Sequence, residues 1–348
     1  MGKKYMPEHQ KHEGYTRRSD QFAHRVFFRR SEYNPILHAS QWPYPANTVF
    51  NAGAALVNGE TLLLVRVEDY RGISHLTVAR SRDGVADWRI DPEPTFIPDP
   101  ANHPEEIYGI EDPRIIWLED MKKWAVTYTS YSHGGPLVSL ALTEDFKSFS
   151  RLGPVMPPDD KDSALFPRRF GGRWAMIHRP SATVFSGRVH IWLSFSPDLK
   201  HWGDHRIIIK SREGAWWDAY KIGLSPPPLE TELGWLILYH GVRNTPAGCL
   251  YRLGLALLDL EDPTRMTHRG DEWIFAPEMP YERTGDVSDV VFPCGWILEP
   301  GTKQIRMYYG MADTSIGLAT ADLGELLAFL KEYPLPQEAI TQTKEPFV

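Results

Sequence analysis

Residues 108–117 read YGIEDPRIIW: adjacent carboxylates Glu111 and Asp112, then Pro113 and Arg114, then an apolar run. A second acidic–proline segment, LLDLEDPTRM, occupies 257–266. Paired carboxylates do general acid–base work when their surroundings separate their pKa values. Asp-Pro is equally at home in a turn, where Asp caps the backbone and Pro supplies a restricted φ. Basic residues form the other candidate group. Apolar runs carry Arg66 in LLLVRVED, His178 and Arg179 in AMIHRP, Lys221 in AYKIG and His240 in LILYHGV, and Lys161 in DDKDSALFP precedes another. A charge at the tip of a buried strand costs desolvation unless it meets water or a partner. One such residue is ordinarily a satisfied strand end. Several converging on one mouth would instead suit an anion such as phosphate or carboxylate.

Other chemistries find little support. HWGDH (201–205) has metal-like spacing but reads as a surface turn around Gly203. SYSHGGP (130–136) is Gly-rich and lies between two strands, which suggests a channel loop. There is no GxSxG, P-loop or strand-borne GxGxxG, and no cysteine pair with zinc spacing, so neither a metal nor an organic cofactor is expected.

The elements that must position these residues follow from composition and repetition. The chain has 348 residues, 42% hydrophobic and 24% charged, enough to bury a large core. Its 12 Trp, 15 Tyr, 15 Phe, 27 Gly and 29 Pro favour many short strands joined by tight turns. One unit recurs five times, starting near 61, 123, 173, 234 and 305: an apolar strand, a loop and a second strand. In four copies the second strand closes on an acidic turn, SRDG, TEDF, SPDL or LEDP. Such spacing fits a five-bladed all-β propeller, in which radial repetition leaves few exposed sheet edges. A β-sandwich would not explain the repeat. LEDPTR takes the place of TEDF and SPDL and is therefore a structural turn. GIEDPRI precedes the first strand of its unit, at the channel end, where Pro113 is expected to hold Asp112 extended. It is either a structural turn or a functional acid.

The expected organisation is a basic N-terminal arm (1–33), the propeller (34–319) and a C-terminal helix and tail (320–348). In TADLGELLAFLKEY, Leu323, Leu326, Leu327 and Leu330 form the helix's apolar stripe. The first 30 residues carry eight Lys/Arg against three Asp/Glu and resemble neither a signal peptide nor an anchor; they are a candidate contact in a homo-oligomer. A net charge of −7 argues against nucleic-acid or anionic-membrane partners. Two cysteines without a pairing pattern, Cys249 and Cys294, fit a reduced, cytoplasmic protein.

NPIL, FNAGAAL, RVEDYRGIS, GIEDPRI, LFPRRFGGRWAMIHRP, KIGLSPPPLETELGWLILYHGV, YRLGLALLDLEDP and YYGMADTSIGLA occur in this order. As a set they resemble glycoside hydrolase family 130, the mannoside phosphorylases, along nearly the whole chain from about residue 34. The first 30 residues have no counterpart in that resemblance. It implies a five-bladed propeller and reversible, inverting phosphorolysis: inorganic phosphate attacks a terminal β-mannosyl unit and releases α-mannose 1-phosphate. It makes Asp112 the acid, working through the sugar's 3-hydroxyl. Lys161, Arg179, Lys221, His240 and Tyr251 match phosphate-binding positions. Asn51, Arg66, Arg71, Phe292 and Asp313 match positions that bind sugar or shape its pocket, with Glu111 beside the acid. To donate a proton near neutral pH, Asp112 should have a raised pKa, so Arg114 is expected to point elsewhere or pair with Glu111. The alternatives are a phosphate-independent inverting β-mannosidase, which needs a second carboxylate to activate water, and a catalytically silent propeller that binds glycans or a protein. Linkage, acceptor sugar and chain length are not fixed by the sequence.

Overall fold

Runs such as Leu62–Val65 are apolar on both faces of a strand, which requires a sheet covered on both sides. A computed structural model, describing residues 25–181, 187–246 and 248–335, provides that cover. Five small antiparallel sheets stand side by side as the blades of a β-propeller. Five hydrophobic cores separate them, one at each interface between neighbouring blades, including that between the fifth and the first.

The innermost strands are Thr48–Val57, Ile110–Leu118, Asp160–Leu165, Lys221–Leu224 and Val291–Leu298. They pack against one another around the centre. The recurring apolar runs seen in the sequence are the second strands, Glu60–Glu68, Lys123–Ser132, Trp174–Pro180, Gly234–Thr245 and Gln304–Met311. Each blade therefore starts one strand earlier than the repeat suggests, and GIEDPRI lies within an innermost strand rather than before the first one. SYSHGGP is likewise no channel loop but the tight hairpin between Lys123–Ser132 and Gly135–Thr143.

The acidic turns close four blades in one way. The Oδ1 atoms of Asp83, Asp145, Asp198 and Asp259 each accept from the backbone N–H groups two and three residues on. LEDPTR is thus part of a turn, but it sits three residues away from its expected place in the repeat: the equivalent of Asp145 and Asp198 is Asp259, not Asp262. His201 of HWGDH bonds the turn's Asp198, whereas His205 contacts Ser194, so the two imidazoles do not share a site.

The fifth blade is completed from the other end of the chain. Arg29–Arg30 and Leu37–His38 pair with Ser315–Asp322, so part of the expected arm belongs to a sheet. Phe27 and Phe28 join the core between blades four and five, with Leu326, Phe329 and Leu330 of the C-terminal helix. That helix spans Leu323–Lys331 rather than starting at 320, because Thr320–Asp322 still pair as strand and Asp322 caps it by accepting from Glu325 N–H. Among the described residues no helix is long and apolar enough to cross a membrane.

Candidate active site

Three innermost strands carry the same irregularity. Their register shifts between Phe50 and Gly53, between Glu111 and Arg114, and between Lys161 and Ala164. Inside each bulge one residue has a left-handed backbone: Asn51 (φ 47°), Asp112 (φ 51°) and Asp162 (φ 53°). Asn and Asp tolerate that region better than other side-chain-bearing residues, and bulges re-aim side chains beside active sites. Asp112 is therefore not held extended by Pro113; the bulge sets its direction. FNAG, EDPR and KDSA are the sequence trace of one device used three times. Blade four has no such bulge and presents Lys221 as the first residue of its innermost strand.

These strands and their neighbours enclose a cavity of about 200 Å³. One wall bears Asn51, Arg66, Glu111, Asp112 and Asp313, the other Lys161, Arg179, Lys221, His240 and Tyr251, with Phe292, Val287 and Val290 completing the lining. Every candidate site residue from the sequence is present except Arg71. Its side chain is 76% exposed and folds back onto Asp69 (Nη2–Oδ2 2.7 Å), whose other oxygen holds the Asp69–Ile73 turn. Arg66 alone supplies the guanidinium of the acidic wall. His178 also turns away, lying in a buried chain from Asp160 Oδ2 (2.6 Å) to Ser194 Oγ (2.7 Å) and on to His205.

On the acidic wall, Asp112 Oδ1 accepts from Asn51 Nδ2 (2.9 Å) and Arg66 Nη1 (3.0 Å), leaving Oδ2 for a ligand. Arg66 Nη2 also donates to Glu111 Oε1 (3.0 Å), and its Nε to Ser74 Oγ (2.9 Å). Asn51 fits because residue 310 is glycine: a Cβ there would stand 2.1 Å from Asn51 Oδ1. Burial pushes Asp112 up, but Arg66, Arg114, Lys161 and the Asn51 bond outweigh it and hold the carboxyl below its ordinary value. The raised pKa expected for the acid is thus not what these protein groups alone produce. Burial raises Glu111 instead, against Arg66 and with help from Asp112. Asp313 is pushed up to about 6, by burial first and by the charges of Asp112 and Glu111. Three carboxylates around one guanidinium do not all ionise cheaply, and the favoured proton sits beside Asp112 rather than on it.

On the basic wall the organising group is one the sequence reading missed. Asp162 is buried beside Lys161 and accepts from Arg179 Nε (2.6 Å); His240 Nε2 lies 3.4 Å from the same oxygen and Arg114 Nη2 3.6 Å from the other. Gly223 permits this, since a Cβ would fall 2.4 Å from Asp162 Oδ2 and 2.6 Å from His240 Cε1. Asp162 is held well below the ordinary range: Arg179, His240 and Arg114 overcome burial. Burial depresses His240 to about 4, so the imidazole is neutral at pH 7. Burial, then the Arg179 charge, lowers Lys221, whose Nζ stands 5.6 Å from the Tyr251 ring centre. Phe292 packs 4.8 Å from the His240 ring.

Arg114 neither faces the cavity nor pairs with Glu111. It is fully buried and donates to the carbonyls of Ser225 (2.8 Å), Leu224 (3.1 Å) and Asp112 (3.0 Å), tying blade two to blade four across the centre. The pairing of KD with ED at the head of successive inner strands was the signal for Asp162. Nothing comparable marked Val287 and Val290, which precede a strand. A carboxylate wall facing a cationic wall can hold a neutral polyol against the first and an anion against the second.

The family model described as beta-1,4-mannooligosaccharide phosphorylase, glycoside hydrolase family 130, matches residues 18–332. The match begins at residue 18, so it extends into the first 30 residues, which the motifs above do not reach. The beta-1,4-mannooligosaccharide phosphorylase of Ruminococcus albus is 32% identical over 311 residues, covering 87% of this chain and 91% of the relative. The beta-1,2-mannobiose phosphorylase of Listeria innocua serovar 6a is 37% identical over 255 residues, 73% of this chain and 68% of the relative. Among solved structures, a Listeria innocua beta-1,2-mannobiose phosphorylase in complex with beta-1,2-mannobiose superposes with a TM-score of 0.79 at 31% identity, covering 88% of this chain and 99% of the other.

Proposed function

The chain belongs to glycoside hydrolase family 130, and on that premise we propose that it cleaves terminal β-mannosidic bonds of manno-oligosaccharides with inorganic phosphate, releasing α-mannose 1-phosphate. The observation that carries this is the cationic wall of Lys161, Arg179 and Lys221 facing Asp112 across one small cavity. A hydrolase has no use for three cations opposite its acid, and an inverting hydrolase needs a second carboxylate beside the attacking water.

Phosphate held by Lys161, Arg179 and Lys221, with neutral His240 and the Tyr251 hydroxyl as further hydrogen-bond partners, presents an oxygen to the anomeric carbon. As the new C–O bond forms, the glycosidic C–O bond breaks on the opposite face, and the configuration inverts. The leaving oxygen takes its proton from the sugar's 3-hydroxyl, which Asp112 Oδ2 reprotonates. Asp112 must then carry a proton, which the free site disfavours. Bound phosphate supplies the missing shift, because its charge offsets Lys161 and the neighbouring cations while the sugar excludes water. No cofactor is needed, since phosphate brings its own nucleophilic charge. The free thiols of Cys249 and Cys294 support placing the reaction in the cytoplasm, and self-association through the N-terminal arm belongs to the same proposal.

The test is incubation with β-1,4- and β-1,2-mannobiose, with and without inorganic phosphate. α-Mannose 1-phosphate formed only with phosphate is the expected result. Equal release of free mannose in its absence would make the protein a hydrolase.

A further inference from the structure

Outside the catalytic cavity, a groove of about 550 Å³ on the first blade is lined by Ser40, Trp42, Tyr44, Asn47 and Tyr70 with two prolines between them. Its course is set by topology. Residues 39–47 connect Leu37–His38, at the outer edge of blade five, to Thr48–Val57, the innermost strand of blade one. The segment therefore crosses from the periphery toward the centre, and the groove runs beside it.

The inner end lies at the acidic wall. Asn47 N–H donates to Glu68 O, two residues beyond Arg66, and Val49 N–H donates to Thr314 O, next to Asp313. Phosphate, by contrast, is held on the far side, by blades three and four. In an inverting displacement the leaving group departs opposite the nucleophile. The rest of the oligosaccharide must then leave the cavity on the side of blades one and five, where Asn47 of this groove bonds the strand that carries Arg66.

The lining suits a pyranose chain. Aromatic faces meet the C–H surfaces of sugars, and a few fixed polar groups orient the hydroxyls. Tyr44 is held by His75 (3.0 Å) and Thr77, and Pro43 and Pro45 stiffen the wall. Tyr70, 75% exposed on the Asp69–Ile73 turn, forms the opposite lip with no role in the core. We propose that this groove binds the reducing-end sugar units of substrates longer than a disaccharide, with Tyr70 as the residue that confers preference for chain length. The proposal rests on the phosphorolysis reading above.

The experiment compares wild type and Tyr70→Ala on mannobiose and mannotetraose of the linkage that is turned over. An aromatic contact of ordinary strength predicts that Tyr70→Ala raises KM for the tetraose about 5–10-fold while leaving mannobiose kinetics unchanged. Equal effects on both substrates, or none on either, would overturn the groove's role. If neither substrate yields mannose 1-phosphate, the phosphorolysis reading fails instead. The groove is then judged by tryptophan-fluorescence titration with mannotetraose and mannobiose in phosphate-free buffer. Tighter binding of the tetraose that disappears in Tyr70→Ala supports it; indistinguishable affinities reject it.

Discussion

Asp112 and Asp162 occupy equivalent bulges in adjacent blades, and their surroundings give them different work. Asp112 keeps one oxygen for a ligand, whereas Asp162 is enclosed by Arg179, His240 and Arg114. Asp112→Asn keeps the shape but cannot carry a transferable proton, so kcat should fall about 10²–10⁴-fold with the fold intact; near-wild-type turnover would remove it from the chemistry. Asp162→Asn frees Arg179 from the one carboxylate that its side chain meets among the described residues. Phosphate KM should rise about tenfold while mannoside KM moves little, and a parallel change in both would reduce Asp162 to a structural role. Asp313 gives a pH signature. Its folded pKa of about 6 lies above the ordinary 3.8, so between these values the folded protein holds a proton that the unfolded chain releases. Its contribution is therefore fully present below about pH 4 and is lost as pH rises through about 6. Asp313→Asn removes that loss and should be the more stable protein at pH 7 relative to pH 4, by on the order of 2–3 kcal/mol in urea unfolding. His240 acts in the opposite sense over about pH 4–6.5 but is common to both proteins, so it cancels from the difference curve, which reports Asp313 together with its effect on Glu111 and Asp112.

At the scale of the element, the second strand of every blade was legible because it is apolar on both faces, as a covered sheet requires. The innermost strands were not. Lys221–Leu224 is four residues long, and three of the others are broken by bulges that put a polar residue where alternation calls for an apolar one. The positions of Lys161, Lys221 and Asp112 could be read as strand ends, but their left-handed or leading geometry could not. Arg66 and Arg71 illustrate the same limit: both lie in RVEDYRG, and only the Asp69 turn decides which one enters the cavity. Gly223 belongs to this scale too, since its missing Cβ lets the innermost strand of blade four approach Asp162 and His240. Gly223→Ala should weaken phosphate binding, seen as a KM increase of about tenfold or more, because buried contacts at 2.4–2.6 Å force Asp162 or His240 to move. Unchanged phosphate dependence would mean the basic wall is more plastic than its packing suggests.

The whole molecule is a ring, and a ring of blades is as stable as its closure. Five interfaces share the burial of apolar surface, and the one between blades four and five also holds Phe27 and Phe28 against the helix Leu323–Lys331. Phe27 and Phe28 enter that core beside Phe329, and Arg30 donates to both oxygens of the fully buried Glu282 (2.7 and 2.9 Å), which Tyr309 also contacts. Removing residues 25–30 would empty two aromatic positions and leave Glu282 without its cation. Either change alone typically costs about 3–5 kcal/mol. A protein lacking residues 1–30 should therefore unfold well below one lacking residues 1–24. Comparing their thermal midpoints and their masses in solution separates closure from self-association. A large fall in midpoint with unchanged mass assigns 25–30 to closing the ring. Equal midpoints would show that the pairing of Ser315–Asp322 with the N-terminal strands contributes little to holding the blades together.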